Sequence, residues 1–254
     1  MKMPQKISAA VITFNEEKNI GRCLASLQGV ADEIIIVDSY SQDGTEHICR
    51  EYGATFLQRP FEGYFQQKNY ALSKTQHPYV LSLDADEVLS APLRAAILRE
   101  KSHFRYQAYQ FNRLTNYCGQ WIRHCGWYPD RKIRLWNRSL GQWGGGNPHE
   151  RVILAPKTTL GHLHGDILHY SYYSVSDHIK QIQFFTDMSA REALQKGKTT
   201  HLAALLVKPV WKFFRDYVIR LGFLDGFYGL VICVNSAFAK WLKYLKIYER
   251  SRKA

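Results

Sequence analysis

Within its first hundred residues the chain alternates short apolar runs with segments of helical spacing, and the clearest runs end on a carboxylate. Residues 7–14 and 33–38, the second with an Ile-Ile-Ile-Val core, read as strands buried on both faces. Between them Ile20, Cys23, Leu24 and Leu27 fall at i, i+3, i+4 and i+7, the spacing of an amphipathic helix. Further strands are predicted over 54–58 and 79–83, and further helices over 45–52, 65–73 and 91–101, the last with Pro92 in its first turn. This rhythm predicts an α/β fold, a mainly parallel sheet flanked by helices, which binds its ligands beyond the carboxyl ends of the strands. The polar residues at those ends are Asn15-Glu16, Asp38-Ser39 and Asp84 to Glu87.

Asp84 and Asp86 flank one residue at the end of an apolar strand, where both carboxylates can approach one cation. Mg²⁺ and Mn²⁺ favour such oxygen ligands, completed by phosphate and water. Asp38 can accept hydrogen bonds from a base or a ribose. Asp43 is read either as a ligand contact or as a turn and helix cap, and Asn15 as a nucleotide contact or a cap.

From 106 to 170 the pattern is irregular and rich in Trp, Gly, Arg and His, which predicts short strands and loops. Trp143-Gly-Gly-Gly-Asn reads as a mobile loop or as structural glycines. His162, His164 and His169 lack the spacing of a zinc site and are expected to be ordinary packed or surface histidines. Ser176 is expected to cap a helix running to about Lys196, with Ile179, Ile182, Phe185 and Met188 on one face.

Charge singles out the C-terminal segment. The formal net charge is +12, and from Lys196 onward there are 12 Lys/Arg against 3 Asp/Glu. An anionic partner is implied, and no recognised nucleic-acid motif accompanies the charge. Between Asp225 and Lys240 runs an uncharged stretch of 14 residues, short of the roughly 20 that span a bilayer. Lys208, Lys212, Arg215, Arg220, Lys240, Lys243 and Lys246 are interleaved with Trp211, Phe213, Phe214, Trp241 and Tyr244. This describes a helix lying in an anionic membrane interface; a helical pair folded on the rest of the chain or forming a dimer is the alternative. Five cysteines, odd in number and without a CxxC pair, suit free thiols in a reducing compartment. With the first apolar run reading as a strand rather than a signal peptide, a cytoplasmic protein, peripheral on the inner face of the membrane, is expected.

Taken together, Ile12-Thr-Phe-Asn-Glu-Glu, Val37-Asp-Ser-x-Ser-x-Asp-Gly-Thr, Gln67-Lys-Asn and Leu83-Asp-Ala-Asp-Glu resemble family 2 glycosyltransferases of the GT-A fold. Trp127-Tyr-Pro-Asp-Arg-Lys-Ile-Arg-Leu-Trp, His149-Glu150-Arg151 and His169-Tyr-Ser-Tyr extend the similarity to the branch that adds glucose to heptose in the lipopolysaccharide inner core. The resemblance implies a catalytic domain over 1–172, with a nucleotide-sugar half to 105 and an acceptor half from 106, followed by a helical, basic, membrane-associating extension over 173–254. It implies an inverting transfer from a UDP-sugar to a lipid-linked saccharide, with Mg²⁺ or Mn²⁺ as cofactor. Thr13, Glu16 and Asp38 would hold the nucleotide, Lys68 would lie near it, and Asp84 and Asp86 would place the diphosphate, Asp86 as the direct metal ligand. The family's usual Glu-Asp base is replaced here by His149-Glu150, which makes Glu150 the expected base, with an ion pair to Arg151 as its alternative role. Arg131 and Arg134 resemble the family's Arg-x-x-Arg-Trp element, although here they precede the base. A sugar nucleotidyltransferase would want a glycine-rich loop where this chain has Asn-Glu-Glu-Lys, and a silent nucleotide-sugar or lipid-binding scaffold would not need the carboxylate set.

Overall fold

A computed structural model describes residues 5–146 and 149–252, which form two compact units. The first contains residues up to 113 together with 130–170, and the second 114–129 together with 171 onward.

The first unit is founded on four parallel strands, β1 (Ile7–Thr13), β2 (Glu33–Asp38), β3 (Thr55–Gln58) and β4 (Tyr79–Asp84), in the order β3-β2-β1-β4. Helices α1 (Ile20–Leu27), α2 (Thr45–Glu51) and α3 (Tyr64–Lys74) connect them. One face of the sheet packs Val11, Ile36, Leu81 and Leu83 with Cys23, Leu24 and Leu27 of α1. The other packs Ala10, Ile35, Val37 and Val80 with Ala71 of α3. Burial on both faces is why these strands read as continuous apolar runs. Beyond β4 come β5 (Glu87–Leu89) and α4 (Ala91–Lys101), which Ser90 caps by accepting from the backbone N–H of Leu93.

Beyond β4 the sheet changes direction. β8 (Asp130–Asn137) pairs antiparallel with β4, and β6 (Ala108–Tyr117) pairs antiparallel with β8. β11 (Leu160–Tyr172) follows β6 in the strand order and pairs antiparallel with β5. The stretch that reads as irregular is therefore mostly strand. Its alternation is obscured because residues on both faces of β6 are buried, Ala108 and Tyr109 among them, and because a register shift interrupts the β6–β8 pairing. The segment read as a mobile loop or as structural glycines is a strand over its described part, β9 (Gly141–Gly146), paired antiparallel with β10 (His149–Leu154), which favours the structural reading. Gly145 has φ of 105°, which a glycine adopts without strain. Asn147 and the side chain of His149 lie outside the described residues.

The second unit contains β7 (Gln120–Ile122), which pairs with the end of β6, and helices α5 (Val175–Gln195), α6 (Leu202–Phe214) and α7 (Gly226–Ser251). The cap of α5 is Ser174, whose Oγ accepts from the Asp177 backbone N–H at 3.1 Å, two residues before the expected Ser176. A core of Tyr117, Ile122, Cys125, Ile232 and Cys233 joins the β7 region to α7. Asp225 ties the same parts together, accepting from the backbone N–H groups of Arg123 and His124 at 3.3 and 2.7 Å.

Candidate active site

The parallel register brings the strand ends level. Thr13 is the Cα partner of Asp38, and Ile12 that of Asp84. Asp38 is fully buried, and its carboxylate accepts from the backbone N–H of Ser41 at 2.8 Å and from the Ser41 hydroxyl. Ser41 Oγ in turn accepts from the Asn15 backbone N–H, and Asn15 Oδ1 accepts from that of Gln42. Asn15 thus laces the loops after β1 and β2 rather than capping α1. Asp43 makes a turn and cap, accepting from the backbone N–H groups of Thr45 and Glu17, both at 3.1 Å. Thr13 Oγ1 is buried without a hydrogen-bond partner among the described residues. Such an atom is costly unless something else binds it.

The Gln67-Lys68-Asn69 motif works as three separate tethers on α3. Gln67 donates to Ser39 Oγ at 3.0 Å and to the Arg59 carbonyl at 3.1 Å. Asn69 exchanges two hydrogen bonds with the backbone of Trp143, at 2.8 and 2.9 Å, and so fastens β9 to α3. Lys68, 2% exposed, places Nζ 2.9 Å from Asp84 Oδ1, 3.2 Å from Glu150 Oε1, and 4.4 Å from the centre of the Trp143 ring. An ammonium stripped of water in this way is stabilised by carboxylates and the aromatic face together.

Arg134 approaches Asp84 from the opposite side. Its Nη2 lies 3.0 Å from Asp84 Oδ2 and 2.7 Å from Glu87 Oε1. Glu87 is fully buried and also accepts from the Asp84 backbone N–H at 3.1 Å. Arg113 adds a longer contact to Glu87 at 3.4 Å and a closer one to Asp130 at 2.7 Å. The register explains how Arg134 gets there: Leu135 faces Tyr109 and Ile133 faces Gln110, leaving Arg134 as the extra residue of a bulge. Bulges re-aim side chains in this manner. Burial opposes charge on Asp84, but Lys68 and Arg134 outweigh it and hold the carboxyl well below the usual carboxylate range. Arg134 Nε and Nη1 remain buried and unpartnered among the described residues, so donors are left over.

Arg131 does not join this cluster. It is exposed on β8, and its side chain makes no ion pair or hydrogen bond among the described residues. Glu150 pairs with Lys68 and not with its neighbour Arg151, which is exposed.

Asp86 has a partner that sequence reasoning set aside. His169 Nε2 lies 3.0 Å from Asp86 Oδ2. The pairing of β11 with β5 sets His169 opposite Glu87, and Gly165 makes the path of β11 possible. A Cβ at Gly165 would fall 2.4 Å from the Leu93 backbone nitrogen. Burial, reinforced by the charge of Asp86, pushes the Glu16 carboxyl up to about 7, so near neutrality it both donates and accepts.

This pair fits a divalent cation. Two neighbouring ligands on an octahedral ion with bonds of about 2.1 Å lie about 3 Å apart, and a carboxylate with an imidazole suits Mn²⁺ more closely than Mg²⁺. Among the described residues no group of three or more His, Cys, Asp or Glu gathers as a metal site.

A sheet with acidic and unpartnered polar groups at its strand ends and a buried lysine between two carboxylates suits an anionic nucleotide. The sequence model of glycosyl transferase family 2 matches residues 8–153, which contain all of these groups except His169. The chain belongs to glycosyl transferase family 2. It is thus a glycosyltransferase, and its mixed α/β sheet flanked by helices is GT-A-like. This family 2 glycosyltransferase is 32% identical over 260 residues to an uncharacterized glycosyltransferase of Rickettsia typhi, covering 98% of this chain and 89% of the relative. It is 28% identical over 262 residues to the lipopolysaccharide core biosynthesis glycosyltransferase LpsC of Rhizobium meliloti, covering 98% and 93%. Among solved structures, glucosyl-3-phosphoglycerate synthase of Mycobacterium tuberculosis, in complex with Mn²⁺, UDP and glucosyl-3-phosphoglycerate, aligns with a TM-score of 0.40 and 18% identity over 54% of this chain and 60% of that one.

Proposed function

We propose that this glycosyltransferase moves a hexose, glucose in the first instance, from a UDP-sugar to a hydroxyl of a lipid-linked saccharide such as the lipopolysaccharide inner core, by one inverting displacement. The observation that carries the reading is Lys68, which joins the strand-end carboxylate Asp84 to Glu150 within one charge cluster. The likeness to LpsC over nearly the whole chain supports the acceptor class.

Thr13, Glu16 and Asp38 bind the nucleoside, where the unpartnered Thr13 hydroxyl gains a hydrogen bond. The spare donors of Arg134, with Lys68, face the diphosphate; a guanidinium and an ammonium complement phosphate oxygens directly. Asp86 and His169 would hold a divalent cation, which would supply positive charge to stabilise the diphosphate leaving group. Glu150 accepts the proton of the acceptor hydroxyl as that oxygen attacks the anomeric carbon. The bond from that carbon to the diphosphate oxygen breaks, UDP leaves, and the configuration at the carbon inverts. Lys68 orients Glu150 for this task.

Replacing Glu150 with Gln keeps the shape and removes the base. Transfer should fall about 100- to 10,000-fold while UDP binding is retained. Full activity in Glu150→Gln would remove Glu150 from the mechanism.

A further inference from the structure

Helix α6 buries only Leu205 among its 13 residues. Leu206 and Val210 are each 70% exposed and Trp211 54%, with Val207 and Phe214 beside them. The segment that joins α6 to α7 also exposes Ile219 and Leu224, and Phe227 is 72% exposed at the start of α7. On α7 the exposed apolar residues are Phe227, Leu230, Val234, Phe238 and Trp241, spaced three or four apart along one stripe. A contiguous apolar face of this kind marks an interaction surface.

Charge identifies what covers it. Lys208 and Lys212 on α6 and Arg215 just past its end, at i, i+4 and i+7, share one side of the helix, next to Trp211 at the edge of the apolar face. Lys212 and Arg215 both reach the buried Asp216, and Arg220 lies 3.5 Å from the same carboxylate. Three cations on one carboxylate leave a positive surplus at the edge of the apolar face. A second copy of the chain would bring that surplus against itself, whereas anionic headgroups complement it.

By length and composition the helical stretch 222–251 is apolar enough to cross a membrane. Its other sides argue for a different placement. Asn235 is buried against His178 of α5 at 3.1 Å. Lys246 bonds Thr186 Oγ1 at 2.9 Å and Asp187 at 3.0 Å, and Arg250 bonds Asp187 at 2.6 Å. Lipid on all sides of α7 would break these polar contacts to α5.

We propose that this face docks the second unit onto an anionic membrane surface, with α6 and the apolar stripe of α7 lying in the interface rather than spanning the bilayer. The five free thiols suit the leaflet that faces the reducing cytoplasm. The inference rests on the second unit alone and is independent of the role given to Glu150.

The test is flotation of the full-length protein with phosphatidylcholine vesicles, with and without phosphatidylglycerol, alongside the double variant Val210→Glu/Phe214→Glu. Both positions are exposed, so the variant should melt like the wild type and still bind UDP. Wild type should float only with phosphatidylglycerol present, be released by high salt or alkaline carbonate, and partition about 100-fold more strongly than the variant. Failure to float, equal binding by the variant, or retention after carbonate would each overturn the proposal. So would a wild-type dimer in size-exclusion chromatography that the double variant dissolves, since the face would then belong to a second copy.

Discussion

The two units depart from ordinary protein economy in opposite directions. The first buries charge: Lys68, Arg134 and Glu87 are each at most 3% exposed. The second exposes apolar surface, with α6 turning nearly all its large side chains outward. Buried ions are costly even when paired, and exposed apolar faces invite aggregation, so neither feature is explained by stability alone. In the first unit Lys68, Arg134 and Glu87 each meet an opposite charge, yet spare donors remain on Arg134. In the second, the apolar face is bordered by cations gathered on Asp216. On the proposals made above, the first surplus would meet a diphosphate and the second a lipid surface.

The largest effect expected in the first unit comes from Arg134→Met. It removes the main partner of Glu87, leaves Asp84 with Lys68 alone, and should cost about 3–5 kcal/mol, read by urea unfolding. Vesicle binding by whatever folded protein remains should be unchanged. A variant as stable as wild type would show that the buried network is dispensable, and the contrast between the units would lose its first half.

A smaller effect is expected from pH in the second unit. Burial pushes the His178 imidazole down to about 4 from 6.5. The Tyr117 hydroxyl and Asn235 amide both meet its Nδ1, at 3.0 and 3.1 Å, which fits a neutral ring protonated on Nε2. The unfolded chain takes up a proton below about 6.5 and the folded one only near 4. Stability is therefore fully present above 6.5 and is lost as pH falls toward 4, by roughly 3 kcal/mol. His178→Gln should flatten that part of the stability profile. An unchanged profile would show that acid sensitivity arises elsewhere.

Much of the first unit was legible in its sequence because strands buried on both faces must be apolar throughout, and β1, β2 and β4 are. The strand-end residues Asp38 and Asp84 followed from that reading, and Thr13 from the family resemblance. Glu87 was named with the strand-end residues, but its buried ion pair was not legible, since an acidic residue after Asp-Ala-Asp looks like a solvated turn; only the bulge that re-aims Arg134 reveals it. His169 was hidden for a related reason. Its partner Asp86 is 83 positions earlier, and nothing local marks the pairing that β11 and β5 create. Arg131 was expected alongside Arg134 from the family resemblance, but it lies exposed on β8 while Arg134 is buried. In the second unit, composition pointed to the basic and aromatic face. The polar contacts of Asn235 and Lys246 to α5 required tertiary structure, because an uncharged run has the same appearance in lipid, in a core or in an interface.

The central claim is that the strand ends of the first unit hold a nucleotide diphosphate through a cation at Asp86 and His169. Calorimetric titration of UDP, with and without Mn²⁺, into wild type, Asp86→Ala and His169→Ala tests it most directly. The account predicts binding that depends on Mn²⁺ and weakens in both variants. No binding of UDP, or binding indifferent to the metal and to both substitutions, would contradict it.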